Sequence, residues 1–288
     1  MSPPPLSTRS LRMVRWCLRI AVAVQCVGAA RLALSVGSPI FALLWHPPDL
    51  GGLGWSEATA LAVDQLGGWL LLAAAGLTLV RPCWPVLAPV ALWFGLFAAV
   101  DTWLGGHPFS HLALPAHAAR IIAPLALIVI DRWPRRELLS RERVERGVWL
   151  LRVAASLTFA AHGWEALQLN PRFIDLLIGA ANHLPNFELR QPVAEDMLRA
   201  IAACDFVIAG LLVTTRWRSV AYYMALWGAI TALSRVVAHG WIAHPQTLIR
   251  AANAGVPLAV ALYWSLLRLK ECGSAGTDGT GGSREESC

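Results

Sequence analysis

Eight separate apolar runs, each near the length of one bilayer crossing, constrain what this chain can fold into more than any other feature. They cover residues 14–36, 59–80, 84–104, 114–131, 148–168, 197–215, 218–238 and 249–268. About 20 apolar residues in a helix traverse the roughly 30 Å of hydrocarbon in a bilayer. No water reaches the backbone there, so such runs must satisfy their hydrogen bonds internally, as helices do. Composition agrees: 56% of the 288 residues are hydrophobic and 15% are charged, whereas a soluble domain carries about a quarter charged residues. The expected fold class is all-α, a polytopic membrane protein of about eight transmembrane helices.

The formal charge is +6. In a soluble chain this would raise nucleic acid as a partner; here its distribution has a simpler cause, and no nucleic acid is expected. With a cytoplasmic N terminus, 17 of the 24 basic residues fall on inner segments, from Arg9 to Arg284, and only Arg172 and Arg190 lie clearly within an outer loop. The positive-inside rule then predicts both termini on the cytoplasmic side of the cell (inner) membrane. Trp16, Trp84, Trp133, Trp149 and Trp217 fall near inner ends of spans, and Trp45, Trp55, Trp103, Trp164 and Trp241 near outer ones, the two belts expected of rings that prefer the headgroup level. The start of the chain has the charge pattern of a signal peptide, but its apolar run has a counterpart later on, so cleavage is not expected.

That counterpart belongs to an internal repeat. At a shift of 133 to 134 residues, Leu18 and Arg19 align with Leu151 and Arg152, Ala91, Leu92 and Trp93 with Ala225, Leu226 and Trp227, and Pro124, Leu125 and Ala126 with Pro257, Leu258 and Ala259. Each unit holds an even number of spans, so both enter from one side, giving two tandem parallel four-helix repeats. The expected organisation is a cytoplasmic segment 1–13, a first membrane repeat 14–131, a basic linker 132–147, a second repeat 148–270 and a disordered tail 271–288. The linker holds six Arg against three Glu and reads as a topology anchor or an anionic-lipid contact. The long outer loops 37–58 and 169–196 carry apolar residues in matching places and are expected to hold short helices.

Ionisable side chains are costly in hydrocarbon and point to function by default. The second repeat offers His162, Glu165, Asp205, Arg235, His239 and Arg250 as ligand-binding candidates, and the first a secondary polar cluster of Arg31, Asp64, Asp101 and Arg120, besides His117. Arginine's planar fork suits an anionic or carbonyl-bearing head group; alternatively the same groups pair to hold helices together. His162 and His239 on different helices would allow bis-His haem ligation, but nothing sets them face to face. No His, Cys or carboxylate spacing marks a metal site, and none is assigned.

Arg152, Phe159, His162, Gly163, Leu167 and Pro171, followed by Asp205 ahead of Gly210, Leu211 and Leu212, give residues 148–268, and more faintly 14–131, a pattern that resembles the DoxX-like family. That family of four-helix membrane proteins includes the membrane subunit of thiosulfate:quinone oxidoreductase. The chain departs from it by carrying two units, and its first lacks the His-Gly pair and the acid. The resemblance implies a quinone-linked or accessory subunit of a membrane oxidoreductase complex, with quinone as cofactor class and the bilayer and other membrane subunits as partners. The competing expectation is non-catalytic: a structural subunit of a larger assembly, or a binder or carrier of lipid or another small amphiphile.

Overall fold

A computed structural model describes residues 11–105, 108–131, 139–183 and 188–275, the side chains of 270–275 excepted. Residues 1–10 of the N-terminal segment, 106–107, 132–138 of the basic linker, 184–187 around Asn186 and the tail from 276 onward lie outside the described residues. Among these, the chain is helical throughout, without a strand.

The helices are α1 (Arg12–Ser35), α2 (Pro39–Trp45), α3 (Glu57–Val80), α4 (Trp84–Leu104), α5 (Ala113–Ala116), α6 (Ala118–Ile130), α7 (Arg141–Leu167), α8 (Pro171–Ala181), α9 (Gln191–Thr214), α10 (Arg218–His239), α11 (His244–Leu248) and α12 (Ala251–Ala275). Each apolar run has become a helix, and both long loops hold the short helix expected of them, α2 and α8. Local signals set the boundaries. Ser38 caps α2 by accepting from the Ile40 N–H, with Pro39 in the first turn; Asn170 caps α8 by accepting from the Arg172 N–H, again followed by proline. A proline there needs no N–H partner and is already at helical φ. Gly240, at φ 72°, ends α10 in a conformation that side-chain-bearing residues rarely adopt.

Seven helical segments are long and apolar enough to cross a membrane, α1 and α2 counting as one. This is the make-up of a multi-pass membrane protein, and seven of the eight expected spans meet that measure. The exception is α7, which is 27 residues long but carries Arg152, His162 and Glu165 inside its apolar run. α6, α9 and α12 pack against it, while Trp149, Leu150, Leu157 and Trp164 leave an apolar stripe of it exposed.

The core is a bundle of α1, α6, α7 and α12, with α3 and α4 packed on one flank and α9 and α10 on the other. The one-turn helices cross over, α5 onto α7 and α11 onto α1. Small residues permit the closest approaches. A Cβ on Gly255 would stand 2.4 Å from Cβ of Ala21, and one on Gly28 2.3 Å from the backbone N of Ile249, so α1 packs tightly on α12 and meets the end of α11 almost backbone to backbone.

Arginines lock one end of this bundle. Arg19 donates from Nε to Asp131 Oδ2 at 2.6 Å and from Nη1 to the Leu79 carbonyl at 2.9 Å, while Arg15 Nε reaches the Ile130 carbonyl at 3.1 Å. On the other flank Arg152 donates to the carbonyls of Leu212 at 3.0 Å and Thr215 at 2.8 Å. Leu79 and Leu212 lie in the last turns of α3 and α9, where carbonyls lack helical partners. Each guanidinium also rests over an indole, Arg19 over Trp16 at 5.2 Å and Arg152 over Trp149 at 4.8 Å.

Candidate ligand cavity at the opposite end

At the other end, α4, α7 and α10 finish where α6 and α12 begin, and α8 lies across the opening they leave. The space enclosed is a polar chamber of about 480 Å³. Asp101 comes from α4, His117 and Arg120 from the start of α6, His162 and Glu165 from α7, Arg172 and Asp175 from α8, Arg235 and His239 from α10, and Arg250 from the approach to α12. Beside it lies an apolar annex of about 170 Å³ between α7, α8, α9 and α10, walled by residues such as Phe159, Leu177, Leu198, Ile201 and Trp227. His162, Phe173, Leu176, Arg235 and Arg250 line both spaces, so they adjoin. Ile230 lines the annex and is 47% exposed, so on the α10 side the annex reaches the outer face of the bundle.

Arg120 is 2% exposed, and its Nε and Nη2 have no hydrogen-bond partner among the described residues; the same holds for Nε of Arg250 and Nδ1 of His162. Gln25 on α1 donates to the Arg120 carbonyl at 3.1 Å, fixing the first turn of α6. Arg250 bonds the Gln246 carbonyl at 2.7 Å through Nη1, and Arg235 the Thr231 carbonyl, contacts within their own segments that leave the rest of each guanidinium to the chamber. Asn170 donates to Glu165 Oε2 at 2.8 Å, tying the α8 cap to α7. His162 Nδ1 stands 3.9 Å from Glu165 Oε1, too far for a hydrogen bond, and meets the Phe173 ring edge-on at 6.0 Å. In the annex, Asp205 is 4% exposed with Oδ1 unpartnered among the described residues, while the Trp227 indole donates toward its carboxylate. Gly163 lets α9 come close here: a Cβ on it would stand 3.1 Å from Cβ of Asp205.

Five second-repeat candidates, His162, Glu165, Arg235, His239 and Arg250, line the chamber, and Asp205 lines the annex beside it. The secondary cluster divides. Asp101 and Arg120 join the chamber. Asp64 is fully buried elsewhere, accepting from the Ser38 N–H at 2.8 Å and hydroxyl at 2.5 Å, and Arg31 is exposed and does not line either space. Phe173, Arg172, Asp175, Trp227 and Asn253 also line the two spaces and were not among the sequence candidates. Asn253 had a signal, as a polar residue in an apolar run that aligns with Arg120 at a shift of 133. Arg172 and Asp175 had none, since charges in a long loop read as ordinary solvent contacts.

No group of three or more His, Cys, Asp or Glu among the described residues is placed to hold a metal ion. The arrangement offers guanidinium donors, with the side chains of His162 and Glu165 beside them, next to an apolar slot. Its charged lining has four arginines, Arg120, Arg172, Arg235 and Arg250, against the carboxylates Asp101, Glu165 and Asp175, a surplus of one positive charge with neutral histidines. Compared with known proteins, the chain matches no family model, no curated protein and no solved structure.

Proposed function

We propose that this protein binds a small amphiphile in the end cavity, with a hydrogen-bond-accepting head group, anionic or carbonyl-bearing, in the chamber and an apolar portion in the annex. The observation that carries this reading is the adjoining of the two spaces: a slot with mostly aromatic and aliphatic walls shares Arg235 and Arg250 with a chamber whose buried Arg120 has donors to spare. Ligand sites of this kind combine an apolar lining with a few convergent polar groups. The opening past Ile230 gives a ligand dissolved in the bilayer a lateral way in.

The topological setting belongs to the same proposal. The chain crosses the cell (inner) membrane as a duplicated four-helix unit with both termini in the cytoplasm, so that α7 is the eighth crossing and the cavity faces outward. In its support, Trp16 and Arg19 correspond to Trp149 and Arg152 at a shift of 133, and both pairs stack and cap a helix end alike.

A quinone satisfies the same description, with carbonyls that accept from arginine and a tail for the annex, and the resemblance to the DoxX-like family favours it. On that reading the protein is a quinone-linked or accessory subunit of a membrane oxidoreductase complex, and a redox partner travels with it.

The test is purification in a mild detergent, followed by native mass spectrometry and solvent extraction. Recovery of a stoichiometric quinone or lipid is the expected result, and a co-purifying redox subunit would select the oxidoreductase reading. A folded protein that carries no amphiphile and gains no stability from added quinone or phospholipid would defeat both.

A further inference from the structure

We propose that the chamber contains an oxyanion site: a phosphate, sulfate or carboxylate group held between Arg120 and Arg250, where α6 and α12 begin. The inference rests on the ligand cavity proposed above for its location only; it names the charge and shape of the group the chamber accepts.

Three observations converge on it. Arg120 is almost wholly buried, lines the chamber, and keeps Nε and Nη2 unpartnered among the described residues, while Arg250 keeps its Nε. An Nε and a terminal nitrogen on one edge of a guanidinium form the fork that matches two oxygens of an oxyanion. Second, Arg120, Arg235 and Arg250 are near enough to repel one another, and the opposing carboxylates acting on Arg250 are Glu165 and Asp101. Three cations, Arg120 buried and Arg235 and Arg250 half-buried, face two carboxylates and leave a positive charge whose partial desolvation an anion would offset. Third, α6 and α12 both start at this chamber, and His117, at the N-cap of α6, makes no side-chain cap. The positive ends of these helices add to the attraction for a negative group.

The two arginines belong to different halves of the chain. An oxyanion between them would bridge the halves at the end opposite the arginine locks, so its binding should stiffen the whole bundle.

The full chain in mild detergent is titrated with inorganic phosphate, and with chloride at matched ionic strength, while thermal unfolding is followed. In a second arm it is reconstituted in nanodiscs of phosphatidylcholine with or without phosphatidic acid. Phosphate or phosphatidic acid is expected to raise Tm where chloride does not. Arg120→Gln should weaken that apparent affinity about tenfold, and Arg250→Gln should do the same and carries the test if the first variant does not fold. Glu165→Gln, which removes a competing negative charge, should strengthen it. Protection by inorganic phosphate assigns a free anion, and protection by phosphatidic acid alone assigns a lipid head group. No stabilisation of the wild type in either arm, equal stabilisation by chloride, or unchanged affinity in both arginine variants would overturn the proposal. A neutral amphiphile recovered without any phosphate response would overturn it while leaving the amphiphile reading intact, and phosphate binding with no amphiphile recovered would do the opposite.

Discussion

Arg19 and Asp131 meet at 2.6 Å with almost no solvent on either side chain, so α1 is bound to the end of α6 by a charge pair that neither partner can leave cheaply. Removing one member of such a pair strands the other in a desolvated place. Asp131→Asn is expected to lower stability by about 3 kcal/mol, read as a fall in the detergent unfolding transition, and Arg19→Lys should not restore the fork that also reaches Leu79. A variant as stable as the wild type would show that water reaches this end of the bundle.

Asp64 is spent on the α2 cap and contributes nothing to the cavity. Asp64→Asn should weaken the hold on Ser38 by about 1 kcal/mol and speed amide hydrogen exchange across residues 38–45, with amphiphile binding unchanged. A loss of ligand in this variant would argue against the division of the polar groups described here.

Two helical glycines, one in α10 and one in α9, predict opposite outcomes. A Cβ on Gly228 would lie 2.5 Å from the Asn253 carbonyl oxygen, whereas one on Gly210 meets nothing within 4 Å. Gly228→Ala must push α10 away from α12 and should cost about 1–3 kcal/mol. Gly210→Ala should stabilise α9 by about 0.5–1 kcal/mol. Thermal unfolding of the two variants side by side checks the α10–α12 packing directly.

Phe173 joins the chamber to the annex and presents its ring to His162. Truncation to alanine removes apolar surface from the slot and should weaken retention of a bound amphiphile about tenfold, measured by competitive extraction from purified protein. Unchanged retention would place the apolar part of the ligand elsewhere.

The helices were legible in the sequence because lipid leaves so little choice: a long apolar run without water becomes a helix, and the apolar residues recurring in the two long outer loops marked the loop helices. The seven-versus-eight discrepancy shows the limit of that signal. Hydropathy weighs Arg152 as if it faced lipid, while in the fold it is 8% exposed and occupied with the end of α9. The site was legible in its ingredients and not in its grouping. Asp101 and Arg120 read as members of a separate cluster because they precede the linker, and only the crossing of α5 and α11 between halves brings them to His162 and Arg250. Asp64 looked equivalent to Asp101, since nothing in sequence tells a carboxylate engaged by a neighbouring serine from one facing a cavity.

The chamber's wall is shared: Asp101 and Arg120 come from one half, Arg235 and Arg250 from the other. On the proposed duplication, a single-unit ancestor could have enclosed such a space only as a homodimer, with every wall residue present twice and any substitution felt on both sides at once. Covalent fusion lifts that symmetry. Asp101 stands where the second half has Arg235, and Arg120 where it has Asn253, so one lining can keep its cations while the other acquires the groups that orient a lopsided guest.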